Sequence, residues 1–439
     1  MTFLLALSAL GALILAGLAL RRVAPIVGRL LLPASVVGGF LGLALGPFGA
    51  RVLPDAMVAA WAAWPTVLIN LVFAGLFLGA PVPSLASVAG RARPLLQFSL
   101  VMALGQYVVG LLLTWLVLTP VFGVPAAFAC LIEVGFSGGH GTAGAMASVF
   151  AGLDFPAGGA LGQMSATVGL LTGVVGGVAL VHWGARRGHA SQVTDGAIAG
   201  GDDPTGLLPA AGRRPIATGT VSAAVVEPLT LHLAVMLLAI LAGWVVLAVL
   251  QWAHPAFEAF PLFPMAMLAG MALQVVADRT GLAAWFDRAT FQRLTGLALD
   301  VLVAAAIASM RLDLVLQNLA PFSLLMLAAI AWCVGVFLWL GPRMLREDWF
   351  EQALVVYGTQ TGVAAVGLML LRLADPHTRT SAAQAFAARS MVVSPLVGGG
   401  LVTAAMPLLI TRVGPAGMLA VMTAAVALCG LWRPRAVTS

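Results

Sequence analysis

Apolar runs of membrane-crossing length dominate the chain. They fall at about 2–20, 31–48, 63–80, 95–120, 157–182, 229–252, 260–277, 295–310, 321–341, 384–410 and 414–431, separated by short polar or Gly- and Pro-rich joints. A helix needs about 20 apolar residues to cross the hydrocarbon of a bilayer, so these runs predict about 11 spanning helices. Two further stretches, 125–150 and 350–373, have apolar flanks around a knot of Gly, Thr and other polar residues. Gly135, Gly138, Gly139, Gly141 and Gly144 serve an unbroken lipid-facing helix poorly and a broken helix tip well. Both stretches are expected to dip into the membrane and return as re-entrant hairpins. The longest polar interval, 183–216, holds Arg186, Arg187, Asp202, Asp203, Arg213 and Arg214 and reads as a cytoplasmic linker.

The fold class that follows is an all-α polytopic membrane protein. The composition agrees: 61% of residues are hydrophobic and 9% charged, against roughly 25% charged in a soluble domain. That balance excludes a soluble enzyme, a secreted disulfide scaffold and a nucleic-acid partner. Cys130, Cys333 and Cys429 are far apart and sit in or beside apolar runs, so they fit neither a metal cluster nor a disulfide framework. The net charge of +6 comes from 22 basic residues, every one an arginine. With both hairpins returning to their side of entry and the N-terminus outside, nineteen arginines fall on the cytoplasmic side. Only Arg51, Arg311 and Arg412 stay outside, as the positive-inside rule expects. Residues 2–20 lack the basic leader of a signal peptide and are followed by Arg21 and Arg22, which suits a retained first helix and a cytoplasmic C-terminus.

The two halves echo each other. Pro33 and Gly39 in LLPASVVGGF match Pro264 and Gly270 in LFPMAMLAGM at one offset, and Asn70 matches Asp300 at nearly the same offset. Each half then contributes an odd number of crossings plus one hairpin, which makes the repeats inverted. The expected layout is a first repeat at 1–182 with its hairpin at 125–150 and a linker at 183–216. A second repeat follows at 217–410 with its hairpin at 350–373, and then an extra C-terminal helix and tail at 411–439.

Candidate chemistry gathers at the two tips. Broken helix ends present free amides, which suit a carboxylate, and free carbonyls, which suit Na⁺. The first tip offers Ser137, Gly138, Gly139, His140, Gly141 and Thr142; the second offers Gly358, Thr359, Gln360, Thr361 and Gly362. The same residues also have structural readings: glycines for close packing, hydroxyls bonding back to their own helix, and His140 as a hydrogen-bonded core residue. Asp300 interrupts an apolar helix and must lie inside the bundle, on a cavity or paired, as an ion ligand, a proton relay or an anchor. Arg389 is the one obvious opposite charge, as partner of Asp300 or of a substrate carboxylate, although its place early in a helix also suits snorkelling. Asn70 can give one carbonyl oxygen to an ion or tie two helices. Gln163 and Ser394 follow the two hairpins and are pocket candidates, whereas Gln106, Thr167 and Gln274 read as interhelical hydrogen bonds. Glu133 reads as a solvated cap near the outer surface. GFSGG around Ser137 has the form of a serine elbow without its strand-turn-helix setting, and no HExxH run occurs, so neither an enzyme nor a cofactor is expected.

Several patches in order resemble the sodium/glutamate symporters of the bacterial inner membrane. LPASVVGG at 32–39, FAGLFLGAPVPSLASVAGR at 73–91 and SGGHGTAGA at 137–145 are similar to that family's motifs, the last being the most specific. The resemblance implies inverted five-helix repeats, paired re-entrant hairpins and a homodimer in the inner membrane. It also implies elevator-like uptake of L-glutamate or a similar acidic amino acid with Na⁺ as coupling ion and a proton as the other candidate. It assigns Ser137, Gly138, Gly139, His140, Gly141 and Thr142 to the substrate and ion site. At the second tip, glutamate-transporting relatives carry a Gly-Ala-Thr-Pro-Thr-Ala run with an Asn a few residues on. This chain has GTQTGVAAVGLM instead, which leaves a cation-coupled transporter of another organic anion as the alternative.

Overall fold

The computed structural model describes residues 3–24, 32–80, 93–190, 215–258, 260–345, 347–375 and 379–431. Most of the linker, including Asp202, Asp203, Arg213 and Arg214, lies outside the described residues, as do 81–92 and the tail beyond 431. The described residues contain helices and no strand. The first series is α1 (Phe3–Val23), α2 (Ala34–Leu45), α3 (Asp55–Ala74), α4 (Arg93–Phe122), α5 (Ala126–Phe136), α6 (Gly139–Ala145), α7 (Ala147–Ala151) and α8 (Gly158–Arg187). The second is α9 (Pro228–Ala253), α10 (Phe263–Thr280), α11 (Arg288–Ala308), α12 (Leu312–Gln317), α13 (Leu319–Met344), α14 (Trp349–Ala374), α15 (Ala382–Val393), α16 (Leu401–Val413) and α17 (Pro415–Leu431).

Among the described residues, eight helices are long and apolar enough to cross a membrane: α1, α3, α4, α8, α9, α11, α13 and α14. This is a multi-span membrane protein. The run 384–410 is not one helix but α15 and α16 with a turn between them. Proline marks helix starts: Pro33 directly precedes α2, and Pro264 sits in the first turn of α10, where a missing N–H costs nothing. Asp287 caps α11 by accepting from the Thr290 amide at 2.8 Å and its hydroxyl at 2.7 Å. His232 of α9 is fixed as one tautomer: its Nδ1 faces Pro228 O at 2.6 Å, and its Nε2 accepts from the Asp287 amide at 2.8 Å.

The chain forms two compact units that cut across the sequence halves. Unit 1 comprises residues 1–82, 140–152 and 201–316; unit 2 comprises 83–139, 153–200 and 317–439. Each therefore draws helices from both halves.

In unit 1, Trp61 is wholly buried among Ala6, Leu10, Met57, Val58, Ala304 and Ala305, and its indole donates to Ala6 O at 3.0 Å. Small residues let the helix backbones touch, and they do so reciprocally. Gly39 of α2 lies against Ala304 and Ile307 of α11, while Gly270 of α10 lies against the Ala74 carbonyl of α3. Gly17 of α1 likewise meets Ala34 and Gly38 of α2, as Gly243 of α9 meets Met265 and Ala266 of α10. Each matched glycine thus plays the same part against the helix at the matching place.

In unit 2, the Trp332 indole lies against Gly105 and donates to Met102 O at 3.0 Å, joining α13 to α4. The C-terminal α17 packs along α4. Both α4 and α13 widen into one π turn, at Thr114–Leu118 and Val336–Leu340, shortly before Pro120 and Pro342.

Gly270→Val is expected to cost about 1–3 kcal/mol, because its side chain meets a backbone carbonyl that cannot move aside. Gly296→Ala in α11, with open space around it, should be neutral or stabilising by roughly 0.5–1 kcal/mol. Melting of the purified protein in detergent checks both. For Asp287, partial burial pushes the carboxyl up, but the Thr290 hydroxyl and amide, the Thr218 amide and His232 outweigh it and hold it below the ordinary range. Its contribution, of the order of 1 kcal/mol for a cap, is therefore present above about pH 4 and lost as pH falls through the depressed value. Asp287→Ala should lower the melting temperature at pH 7, with the difference from the parent closing in acid.

Candidate functional site

The long helix α8 is the rail on which unit 2's broken segments are set. Ser165 Oγ of α8 donates to Leu131 O of α5 at 2.7 Å, Gly135 faces Ser165 and Ala166, and Phe136 faces Gly169. Partner numbers rise together, so α5 runs parallel to α8. On α14 they first run opposite: Phe350 faces Gly184, Tyr357 faces Gly176 and Thr361 O faces Gly169. Then Val366 faces Gly173 and Leu370 faces Gly177, in the parallel sense.

The chain of α14 has therefore turned back on itself. Its backbone leaves helical geometry at Gly362 (φ −136°, ψ 34°) and Val363 (φ 63°, ψ 173°). Gly358 of the first arm lies 2.7 Å, by the position a Cβ would take, from Gly367 Cα of the second. In a straight helix those residues would stand about 13 Å apart. The close packing of the arms needs both glycines.

The ends of α5 and of the first α14 arm thus approach Gly169 from opposite directions, and both touch it. Gly139, at φ +71°, faces Val363 so closely that a Cβ there would lie 2.5 Å from Val363 Cγ1. Val363 is a β-branched residue in the left-handed region, a strain of about 1–3 kcal/mol. The sequence marks the break by its glycines; the strained position is the valine beside them.

Freed backbone groups near the break find partners. Gln106 Nε2 of α4 donates to Gln360 O at 2.7 Å, and Tyr357 Oη donates to Thr172 O, in the π turn of α8, at 3.0 Å. Gln106 is the interhelical link expected of it. The Oε1 atoms of Gln106 and Gln360 are buried without a hydrogen-bond partner among the described residues. Thr359 and Thr361 donate their hydroxyls to Val355 O and Tyr357 O, at 2.7 and 2.8 Å. Each hydroxyl oxygen keeps acceptor lone pairs. Ser137 and Gly138 donate their amides to Glu133 O, and Ser137 lies beside Gly398 in the turn after α15. Gln163 is buried on α8, and Ser394 is half-buried at the C-terminal end of α15.

Glu133 corrects the sequence reading. It is fully buried, not a solvated cap. Tyr107 Oη donates to its Oε2 at 2.5 Å, while Gly398 N and Thr403 Oγ1 donate to its Oε1 at 2.6 and 2.9 Å. One carboxylate thereby ties α4, α5, the 394–400 turn and α16 together.

The remaining candidates belong to unit 1. His140 is buried there, Gly141 packs on Ile69 and Leu302, and Thr142 Oγ1 is buried without a hydrogen-bond partner among the described residues. Asn70 donates its amide to Thr66 O and Val67 O of its own helix, and its Oδ1 is buried without a partner among the described residues. Asp300 is exposed rather than enclosed, and accepts from Ser35 Oγ of α2 at 2.7 Å. Its observed partner is thus a neutral hydroxyl, whereas Arg389 belongs to unit 2.

The family model for the sodium/glutamate symporter matches residues 1–362. The chain belongs to the sodium/glutamate symporter family. No individual curated protein matches it. The symporter match takes in the first broken segment whole and ends at Gly362, at the second break. The returning arm of α14 and all of α15–α17 lie beyond it.

Glu133→Ala would strand two buried hydroxyl donors and the half-buried Gly398 amide in this symporter. A loss of about 3–5 kcal/mol is expected, whereas Thr403→Val should lose roughly 1–2 kcal/mol. Thermal melts of both variants in detergent give the comparison.

Proposed function

We propose that this protein is a secondary active transporter that takes up glutamate or a similar acidic amino acid together with Na⁺, by an elevator-like alternating-access mechanism. The observation that carries the reading is the meeting of two broken helices, end to end, at Gly169 in a member of the symporter family. Such ends offer amides to a carboxylate and carbonyls to a cation. Buried acceptors at Gln106 and Gln360, with the hydroxyl oxygens of Thr359 and Thr361, favour a monovalent cation at the second tip. Ser137, Gly138 and Gly139 form the first tip. Asn70, His140, Thr142 and Asp300 supply further polar atoms in unit 1, and Gln163 and Ser394 in unit 2.

Physics sets the coupling requirement. A monoanion entering against a negative-inside potential is opposed by about 2.3 kcal/mol per 100 mV. Accumulation therefore requires co-transported cations, and more than one if net positive charge is to enter with a monoanion. We read 125–150 and 350–373 as re-entrant hairpins within inverted repeats, with about 11 spans, the N-terminus outside and the C-terminus cytoplasmic. The reciprocal glycine packing and the turn-back of α14 support this reading, as does the arginine bias. By family, the working form is a homodimer in the inner membrane.

One observation favours a second reading. The family match stops at the second tip, where GTQTG replaces the run of glutamate-transporting relatives. A different organic anion carried by the same architecture would fit that departure.

Radiolabelled L-glutamate uptake into proteoliposomes, with Na⁺ and proton gradients imposed separately, tests the proposal. Na⁺-driven accumulation is expected, and His140→Ala, Thr142→Ala and Thr361→Ala should each slow it about tenfold or more, equivalent to ~1.4 kcal/mol. Asp202→Ala should not. Uptake indifferent to both gradients, or equal in all four variants, overturns the reading.

A further inference from the structure

Arg389 is buried to 2% exposure in α15, among the largest fully enclosed side chains of the protein. Its Nε and Nη2 have no hydrogen-bond partner among the described residues. Covalent geometry makes these two atoms one edge of the guanidinium, with parallel N–H bonds spaced to grip both oxygens of a carboxylate. The Phe386 ring lies 5.0 Å from the guanidinium carbon. A ring face offsets only part of the cost of burying an unpaired cation.

Three acidic groups of the same unit have partners other than Arg389. Glu133 takes Tyr107, Gly398 and Thr403. Asp375 takes the Arg379 amide and Thr380, and Asp348 takes Ser381. The guanidinium edge is thus an anion receptor in need of an anion. Its place in the fold gives that anion a role. Ser381, at the start of α15, is tied to Asp348, at the start of α14, so α15 sets out from the base of the α14 hairpin. Val393 then packs on Ala103 of α4, one turn before Gln106, which holds the Gln360 carbonyl at the break. Arg389 therefore stands on the way from base to tip. It also lies beyond the residues matched by the family model.

We infer that Arg389 binds a carboxylate of the transported solute through its Nε–Nη2 edge. This rests on the proposed transport of an organic anion and adds the residue that recognises the charge. It gives two signatures that a structural arginine would not. Removing the cation should leave the ligand-free protein at least as stable, and should abolish its response to carboxylates.

The test is thermal melting of the full chain in detergent at constant Na⁺, titrated with L-glutamate, succinate, citrate and the uncharged diamide glutaramide. The parent should be stabilised by at least one carboxylate and not by glutaramide. Arg389→Met should melt at or above the parent without ligand and lose the carboxylate shift. Arg389→Lys, which keeps the charge without the fork, should need at least about tenfold more ligand. A lower ligand-free melting temperature for Arg389→Met, its failure to fold, or an unchanged carboxylate response overturns the inference, as does a parent indifferent to all three carboxylates. An Arg389-dependent response to succinate or citrate but not to glutamate keeps the inference and removes glutamate as substrate. A glutamate response equal in parent and Arg389→Met does the reverse.

Discussion

A backbone group released from a helix inside an apolar bundle has no water to turn to, so each break must bring its own partner. The whole arrangement of unit 2 follows from that constraint. Gln106 takes the Gln360 carbonyl left over by the break at Gly362, and Tyr357 takes the Thr172 carbonyl loosened by a π turn. Glu133 collects the Gly398 amide from a turn that no helix could hold. These side chains are polar because the backbone beside them is irregular.

Glycine provides the second half of the logic. In lipid the hydrophobic effect does not drive helices together, so contact must be close to be worth having. Gly39, Gly270, Gly17 and Gly243 bring helices of unit 1 to backbone contact, and Gly358 and Gly367 do the same for the two arms of α14. At Gly169 the requirement is sharper, because two chain ends arrive at one residue with no side chain to part them. The arms are tightly packed and the tip is strained at Val363.

Much of this was legible in the amino-acid order. Hydropathy marked the eight membrane-length helices among the described residues, and Gly/Thr density fell on both breaks. Polar partners were harder. Glu133 follows the apolar run AAFACLI, which was the available sign of burial, but its three donors come from residues up to 270 positions away. Ser35 meets Asp300 across 265 positions, a pairing that no local pattern encodes. The division of 125–150 between two units was also out of reach, because it depends on what each arm packs against rather than on the arms themselves. Nor does composition reveal that 384–410 is two helices, since the turn over 394–400 is as apolar as its flanks and is held open by Glu133 from another segment.

The paired π turns carry a historical implication. Each is one residue too many for an α-helix, and the two stand at the same distance before Pro120 and Pro342 in helices of opposite halves. If the halves descend from one ancestral segment, that segment already carried the extra residue when it was copied, and the bulge is older than the two-part protein that now contains it.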